Sequence, residues 1–439
     1  MLKKAALCVL SGLLLCLSAC SYSGEVSTLL KAPKPTGELY KIQQALEQSI
    51  TEEYTLRYPT DGAYRSAFVV RDLTGDGIDE AIAFYSTKTE DAVTVMHISL
   101  IHKLDGRWSV ANDLFARSNG IESVSFADMN GDGTQEIFAG WSSYGDAGRT
   151  LTVYSVTNHV MVQRLQESYT TFSVCNLTGR EGNELLTVHI DVENKTSTAK
   201  LHRLEENGVT ALGKCLLDGN VSSYKTPVLS VLKGGQPAVY IDAQKGLSDM
   251  ITEVLVWNEN TSTLEAPFYD ATRQENVATL RSSDIEVADF NNDGVTDIPM
   301  MTLLPATDMV AETDRIYITQ WKSFDGEVFT TAGRALINKA EGYYIDVPEK
   351  WGNDFTVLRR AEQRQRVVYR WDSENAQYVN EIVRMQVFQI EDWEKNHQNY
   401  DSYVEIARNA QSVYAGKVSQ AGDMSITIEE LKNRFHFIA

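Results

Sequence analysis

DLTGDGIDE at residues 72–80, DMNGDGTQE at 128–136 and DFNNDGVTD at 289–297 align without gaps, each preceded and followed by an apolar run. A fourth copy, NLTGREGNE at 176–184, keeps the frame and loses acids, and VLSVLKGGQPAVYID at 228–242 keeps only the strand–turn–strand rhythm. A period of about fifty to sixty residues is the length of one four-stranded unit with its loops. Around the first copy, Ser66–Asp72, Glu80–Ser86, Val93–Leu104 and Arg107–Leu114 read as strands, rich in β-branched and aromatic residues and broken by Asp, Asn and Gly. Asp105-Gly106 closes the last two into a hairpin, and comparable turns stand at Thr157-Asn158, Asn207-Gly208, Asn258–Asn260 and Asp325-Gly326.

Five such units are visible between residues 57 and 338. A lone sheet of this kind cannot cover both its faces, so radial stacking of sheets is what makes the repeat stable. The expected fold is therefore mainly β: a β-propeller of five visible four-stranded blades, with six as the alternative. Cys175 falls in the first strand of the third unit and Cys215 in its fourth, which puts them ~14 Å apart, too far for a disulfide. Free thiols are expected.

The nine-residue loops carry the chemistry. Oxygen donors at alternating positions let a tightly curled backbone aim several of them at one hard cation. The donors are Asp72, Thr74, Asp76 and Glu80 in the first loop, Asp128, Asn130, Asp132 and Glu136 in the second, and Asp289, Asn291, Asp293 and Asp297 in the last. Gly77, Gly133 and Gly294 hold the sixth position, where the chain must turn sharply. Position seven offers its carbonyl alone. These loops resemble the FG-GAP or VCBS repeats of integrin-type β-propellers, in which D-x-[DN]-x-D-G-x-x-[DE] hairpins bind calcium. The resemblance implies structural Ca2+ at the three acidic loops, with an affinity in the ~10⁻⁴ to 10⁻³ M range of extracellular modules. Thr74 departs mildly from the pattern. In the third loop Asn176 replaces the first acid and Arg180 the third ligand, so that site is read as dead. Arg180 either pairs with Glu184 or points to solvent.

The first twenty residues set the compartment. Lys3 and Lys4 precede an apolar run, and Leu17-Ser18-Ala19-Cys20 is a small-residue cleavage site ending in cysteine. The pattern resembles the lipobox of bacterial lipoproteins, which implies removal of residues 1–19, a lipid on Cys20 and a membrane anchor on the extracytoplasmic face. Residues 20–37 read as a tether, and 38–56 as an amphipathic helix and lead-in, with Leu39, Ile42, Ala45, Leu46 and Ile50 near helical spacing. The net charge of −20, which becomes −22 without Lys3 and Lys4, excludes a phosphate backbone as partner, because no basic stripe supplies the electrostatic part of binding.

From 339 to 439 the texture becomes α+β. FTVLRR, RVVYRWD and IVRMQVFQI read as strands, and Asp401–Tyr414 and Thr427–Phe437 as helices. The stretch resembles the small α/β domains attached to many bacterial surface lipoproteins, the alternative being a sixth blade with a helical tail. Histidines are scattered, and no H-E-x-x-H, G-x-S-x-G or phosphate-binding glycine loop occurs. Asp346 and Glu349 could be cast as acid and base, but read as strand-end acids. Trp141, Ser142, Ser143 and Tyr144, with Asp146 and Arg149 in the loop beyond, and Trp257, Trp321 and Trp371 on hairpins, read as packing groups that could also stack on sugars. The function expected is a calcium-stabilised module binding an extracellular protein or glycan, not an enzyme. Its rivals are an enzyme or enzyme subunit acting on cell-wall or extracellular polysaccharide, and a purely structural spacer.

Overall fold

The computed structural model describes residues 36–90, 93–143, 148–206, 208–307, 310–311, 314–400 and 402–438. Cys20, Tyr144, Asp146 and Asn207 lie outside the described residues. Helix α1, Glu38–Ser49, buries Ile42, Ala45 and Leu46 on one face. The first sheet follows: β1 (Thr55–Leu56), β2 (Phe68–Arg71), β3 (Glu80–Lys88), β4 (Thr94–Leu104) and β5 (Arg107–Ala116), with β1 and β2 both paired to β3. The second is a meander of β6 (Gly120–Ala127), β7 (Glu136–Ser142), β8 (Arg149–Thr157) and β9 (Val160–Tyr169). The third repeats it with β10 (Thr171–Cys175), β11 (Glu184–Asp191), β12 (Thr196–Glu205) and β13 (Gly208–Leu217).

In the fourth sheet β14 (Val221–Tyr224) and β15 (Val228–Val231) share β16 (Pro237–Lys245), which continues to β17 (Asp249–Asn258) and the short β18 (Thr263–Glu265). The fifth runs β19 (Ile298–Leu303), β20 (Tyr317–Phe324), β21 (Phe329–Asn338), β22 (Tyr343–Asp346) and β28 (Phe435–Phe437). The sixth is β23 (Phe355–Arg360), β24 (Gln365–Asp372), β25 (Gln377–Gln389), β27 (Ser412–Val418) and β26 (Val404–Arg408). Every named pairing is antiparallel.

Apolar side chains on successive sheets meet in a series of shared cores. Ile82, Phe84 and Ile98 of the first sheet pack with Ile137, Ala139 and Trp141 of the second. Phe138 and Val153 pack with Leu185 and Leu204, and Leu186 and Leu201 with Val239 and Trp257. Tyr240 and Val254 of the fourth sheet then meet Ile298 and Phe324 of the fifth. Trp141, Trp257 and Trp321 are buried, so these tryptophans are packing groups. The face of the first sheet bearing Ala81, Ala83, Tyr85 and Ile101 is covered by α1.

Three readings of the carboxyl-terminal quarter need correction. The break expected after Asn338 falls inside a sheet, since β21 pairs with β22 and β22 with β28. One core joins Ile318 and Leu336 to Trp351, Val383 and Leu431 across that point. Asp401–Tyr414, expected to be helical, instead contributes β26 and the start of β27: Val404, Ile406 and the run Ser412–Val418 complete the sixth sheet beside β25, and sheet pairing overrides their weak helical spacing. Thr427–Phe437 is helical only over α3 (Ile428–Asn433), capped reciprocally by Thr427 and Glu430, before the chain turns into β28. The phrase QIEDWEK lies in helix α2 (Ile390–Asn396).

Cys175 and Cys215 are free, on the first and fourth strands of the third sheet. Burial pushes each thiol up to about 12, which favours the protonated form at neutral pH. The long connection 266–297 lies on the fourth sheet through buried polar groups rather than a strand. Asp218 accepts from Lys245 Nζ at 2.7 Å and the Asn276 N–H at 3.0 Å. Glu253 accepts from the Asp218 N–H at 3.0 Å and Asn276 Nδ2 at 3.1 Å. Arg281 meets Asp242 at 2.7 Å, both side chains buried.

Burial pushes the Glu253 carboxyl up to about 7 from an ordinary 4.5. A carboxyl whose folded pKa is raised stabilises the protein below its unfolded pKa and loses that contribution as pH rises through the folded value. Urea titrations are therefore expected to show stability falling between pH 4.5 and 7, with Glu253→Gln flattening that slope.

Candidate functional site: acidic loops and an adjoining cavity

The three acidic loops share one local design. Asp72 Oδ1 accepts from the Gly75 N–H at 2.7 Å and Oδ2 from the Gly77 N–H at 2.9 Å. Asp128 does the same to Gly131 at 2.6 Å and Gly133 at 2.8 Å. Asp289 receives Asp293 N–H at 3.0 Å and Gly294 N–H at 2.8 Å. Position five then turns the chain again, Asp76, Asp132 and Asp293 accepting from the amides of Ile78, Thr134 and Val295. These curls need left-handed backbone at positions four and six, supplied by Gly75 and Gly77, Gly131 and Gly133, and Asn292 and Gly294. Asn130 and Asn291 each bridge to the position-five carboxylate at 2.9 Å. Thr74 is different: its hydroxyl is buried without a partner.

The ninth acid has a second task. Glu80, Glu136 and Asp297 are buried and accept the N–H of the residue at position two, Leu73 at 3.0 Å, Met129 at 2.9 Å and Phe290 at 3.2 Å. Glu184 in the degenerate loop does the same for Leu177 at 2.9 Å. The acid is thus retained where the first and fifth acids are lost, because it satisfies a buried amide. Burial pushes Glu136 up to about 7, with Asp132 and Asp128 adding repulsion, and raises Glu80 and Asp297 in the same direction.

In the third loop Asn176 Nδ2 donates to the carbonyls of Arg180 at 2.7 Å and Gly182 at 2.9 Å. A neutral donor therefore fills the loop that lost its acids, and the second left-handed glycine has moved to position seven. Arg180 is exposed; the guanidinium beside Glu184 belongs to Arg203, at 3.7 Å. In the other loops the same position holds an aspartate, which can only accept, so the donor set suits a hard cation. Among the described residues no three acidic, histidine or cysteine side chains converge into a preformed metal cage. Any ion would draw Asp72, Asp128 or Asp289 together with its position-five partner and the chain carbonyls.

Successive loops are also bonded to one another. The Gln135 N–H donates to Leu73 O at 2.8 Å, and Asn183 N–H to Met129 O at 3.2 Å, each linking position eight of one loop to position two of the loop before. Asn183 Nδ2 adds a bond to Asp128 O at 2.7 Å, and the Thr296 N–H reaches Ser230 Oγ at 3.1 Å.

Near these loops the first strands of the second and third sheets and the turn after β14 surround a cavity of about 440 Å3. Its walls carry Tyr64, Phe126, Tyr169 and Phe172 beside Glu122 and Arg149. Arg149 meets Glu122 at 2.7 Å, and Tyr169 donates to the same carboxylate at 3.3 Å. Arg71 lies 4.5 Å from the centre of the Phe126 ring and donates to Tyr64 Oη at 2.8 Å, while its Nε and the Ser125 hydroxyl are buried without partners. Of this group the sequence marks only Arg149; Tyr64 lies in the loop before β2 and the rest in ordinary strand contexts, with no spacing to mark them. Elsewhere, His97 joins Thr87 at 2.9 Å and Asp113 at 2.7 Å, both ring nitrogens spent within the first sheet. Asp346 pairs with His436 at 3.0 Å rather than with Glu349.

Set against known proteins, residues 72–139, from the first acidic loop through most of β7, match the family described as FG-GAP-like repeat. No curated protein matches the chain. Among solved structures it is similar to the crystal structure of exotype rhamnogalacturonan lyase YesX, at 11% identity and a TM-score of 0.28, over 85% of this chain and 73% of that one.

Loop packing separates two glycines. An added Cβ at Gly75 would stand 2.6 Å from Gly133 O, whereas one at Gly77 would meet open space, both at positive φ. Gly77→Ala is expected to cost about 1 kcal/mol from backbone strain alone, and Gly75→Ala a further 1–3 kcal/mol or so from overpacking, both read from urea unfolding.

Proposed function

We propose that this chain is a lipid-anchored, extracytoplasmic binding module of the propeller type, which takes a glycan in the cavity formed by the first strands of its sheets. The observation that carries this reading is the cavity itself. The partly exposed rings of Tyr64 and Phe172 offer apolar surface for a sugar, with Phe126 under Arg71 and the buried Tyr169 behind them, and Glu122, Arg149 and the unpartnered Ser125 hydroxyl offer polar groups to fix orientation. Binding is favoured over catalysis because Glu122 is held by Arg149 at 2.7 Å and Asp61 by Arg65 at 3.2 Å, so neither acid is poised to move a proton. The series of six antiparallel sheets and the FG-GAP-like repeat over 72–139 support propeller-type stacking, with α1 covering one face of the first sheet.

Calcium belongs to the same proposal as a structural ion. Asp72, Asp76, Asp128, Asp132, Asp289 and Asp293 would hold it, the bound ion offsetting carboxylate repulsion in each loop and stiffening the end of the stack. With millimolar calcium and affinities of ~10⁻⁴ to 10⁻³ M, each filled site adds about 1 kcal/mol. The thermal midpoint of the full chain is expected to rise with calcium over chelator, and the rise to shrink in Asp132→Ala and Asp293→Ala. An unchanged midpoint would remove calcium from the account.

The glycan reading is checked on an immobilised oligosaccharide array. Binding to at least one glycan is expected, weakened about tenfold by Tyr64→Ala and by Glu122→Gln and unaffected by Leu247→Ala, whose side chain is fully exposed. Binding that survives both cavity variants would place the site elsewhere, and an empty array would sink the proposal.

A further inference from the structure

The chain carries 60 acidic residues against 40 lysines and arginines, yet one cavity inverts that balance. It measures about 320 Å3 and lies between the fifth and sixth sheets, with Arg315, Lys339, Arg359 and Arg366 on its walls and Asp284 as the one acid among the described residues that line it. Two of the four cations are answered: Lys339 pairs with Asp284, and Arg359 with Asp314 at 3.2 Å. The other two meet no carboxylate among the described residues. Arg366 is half-buried and donates from Nη1 to Ile337 O at 2.7 Å, a neutral carbonyl, and makes no direct ion pair among the described residues. Arg315 is exposed at the rim.

Removing a guanidinium from water without an anion beside it is costly. Burial, helped by the nearby charge of Arg359 and opposed by Tyr343 and Glu341, holds Arg366 below the ordinary arginine value. Glu341 bonds Arg364 through both its oxygens, at 3.1 and 3.0 Å to Nε, and is thereby spent on that residue. Ser283 and Tyr317 add hydroxyls to the same walls, while the Ser282 hydroxyl is donated to Asp249 at 2.6 Å. Two guanidiniums with hydroxyl neighbours form a donor set suited to a planar or tetrahedral oxyanion.

We propose that this cavity binds the carboxylate or phosphate group of an anionic ligand through Arg315 and Arg366. The site is separate from the aromatic cavity and does not rest on glycan binding there. Calorimetric titration of the full chain with sodium glucuronate and with inorganic phosphate, at fixed ionic strength and with glucose as neutral control, tests it. Saturable binding of at least one anion and none of glucose is expected, weakened about tenfold or more by Arg315→Gln and by Arg366→Gln, and unchanged by Arg370→Gln on the exposed Arg370–Asp423 pair. Tighter glucuronate binding assigns a carboxylated ligand, and tighter phosphate binding a phosphorylated one. Should Arg366→Gln fail to fold, the exposed Arg315 variant decides. Absence of binding by both anions, or affinity that Arg315→Gln leaves unchanged, overturns the proposal.

Discussion

The stack depends on how the second residue of each loop is held. Leu73 and Met129 are fully buried, and each has its N–H taken by the ninth acid of its own loop and its carbonyl by the eighth residue of the next. A buried backbone group left unpaired costs about as much as a lost hydrogen bond, so the two bonds fix where the following loop must lie. With each loop placed, the strands leaving it are placed too, and their apolar faces meet in the shared cores between neighbouring sheets. Gly131 and Gly182 lie so close across one of these contacts that an added Cβ on Gly182 would stand 2.5 Å from Met129 O.

This arrangement explains why the degenerate loop persists. Losing acids at positions one and five removes the cation donors, but Asn176 closes the loop with its own amide and Glu184 keeps its bond to Leu177. Arg203 stands by that buried carboxylate. Architectural duty and ion-binding chemistry are therefore carried by different positions: the second, eighth and ninth residues join the sheets, and the first and fifth shape the loop interior.

Away from the loops, polar burial does work that strands do elsewhere. The segment 266–297 has only isolated bridges, and Asp218, Glu253, Asn276, Asp242 and Arg281 fasten it to the fourth sheet. Its end delivers the last acidic loop to the fifth sheet, where Phe290 stacks on Trp321 at 5.2 Å between centres. The fifth sheet then accepts two strands from the carboxyl-terminal region, which makes the acidic stack and the final α+β portion share one core.

Short-range pattern determined much of this protein. Nine contiguous residues suffice for the acidic loops, because an aspartate reaches amides three to five positions ahead, and alternation with turn residues marked the strands of the first sheet within a few positions. Free thiols at Cys175 and Cys215 followed from strand count alone. What only the tertiary structure decided involves residues distant in the chain: Tyr64, Glu122 and Tyr169 around one cavity, Arg315 and Arg366 in another, and Arg203 beside Glu184. The same holds for Val404–Arg408 and Phe435–Phe437, whose weak local preference yielded to open sheet edges. A nine-residue turn carries its hydrogen-bond partners within itself, whereas a cavity or an added edge strand exists only once remote segments have packed.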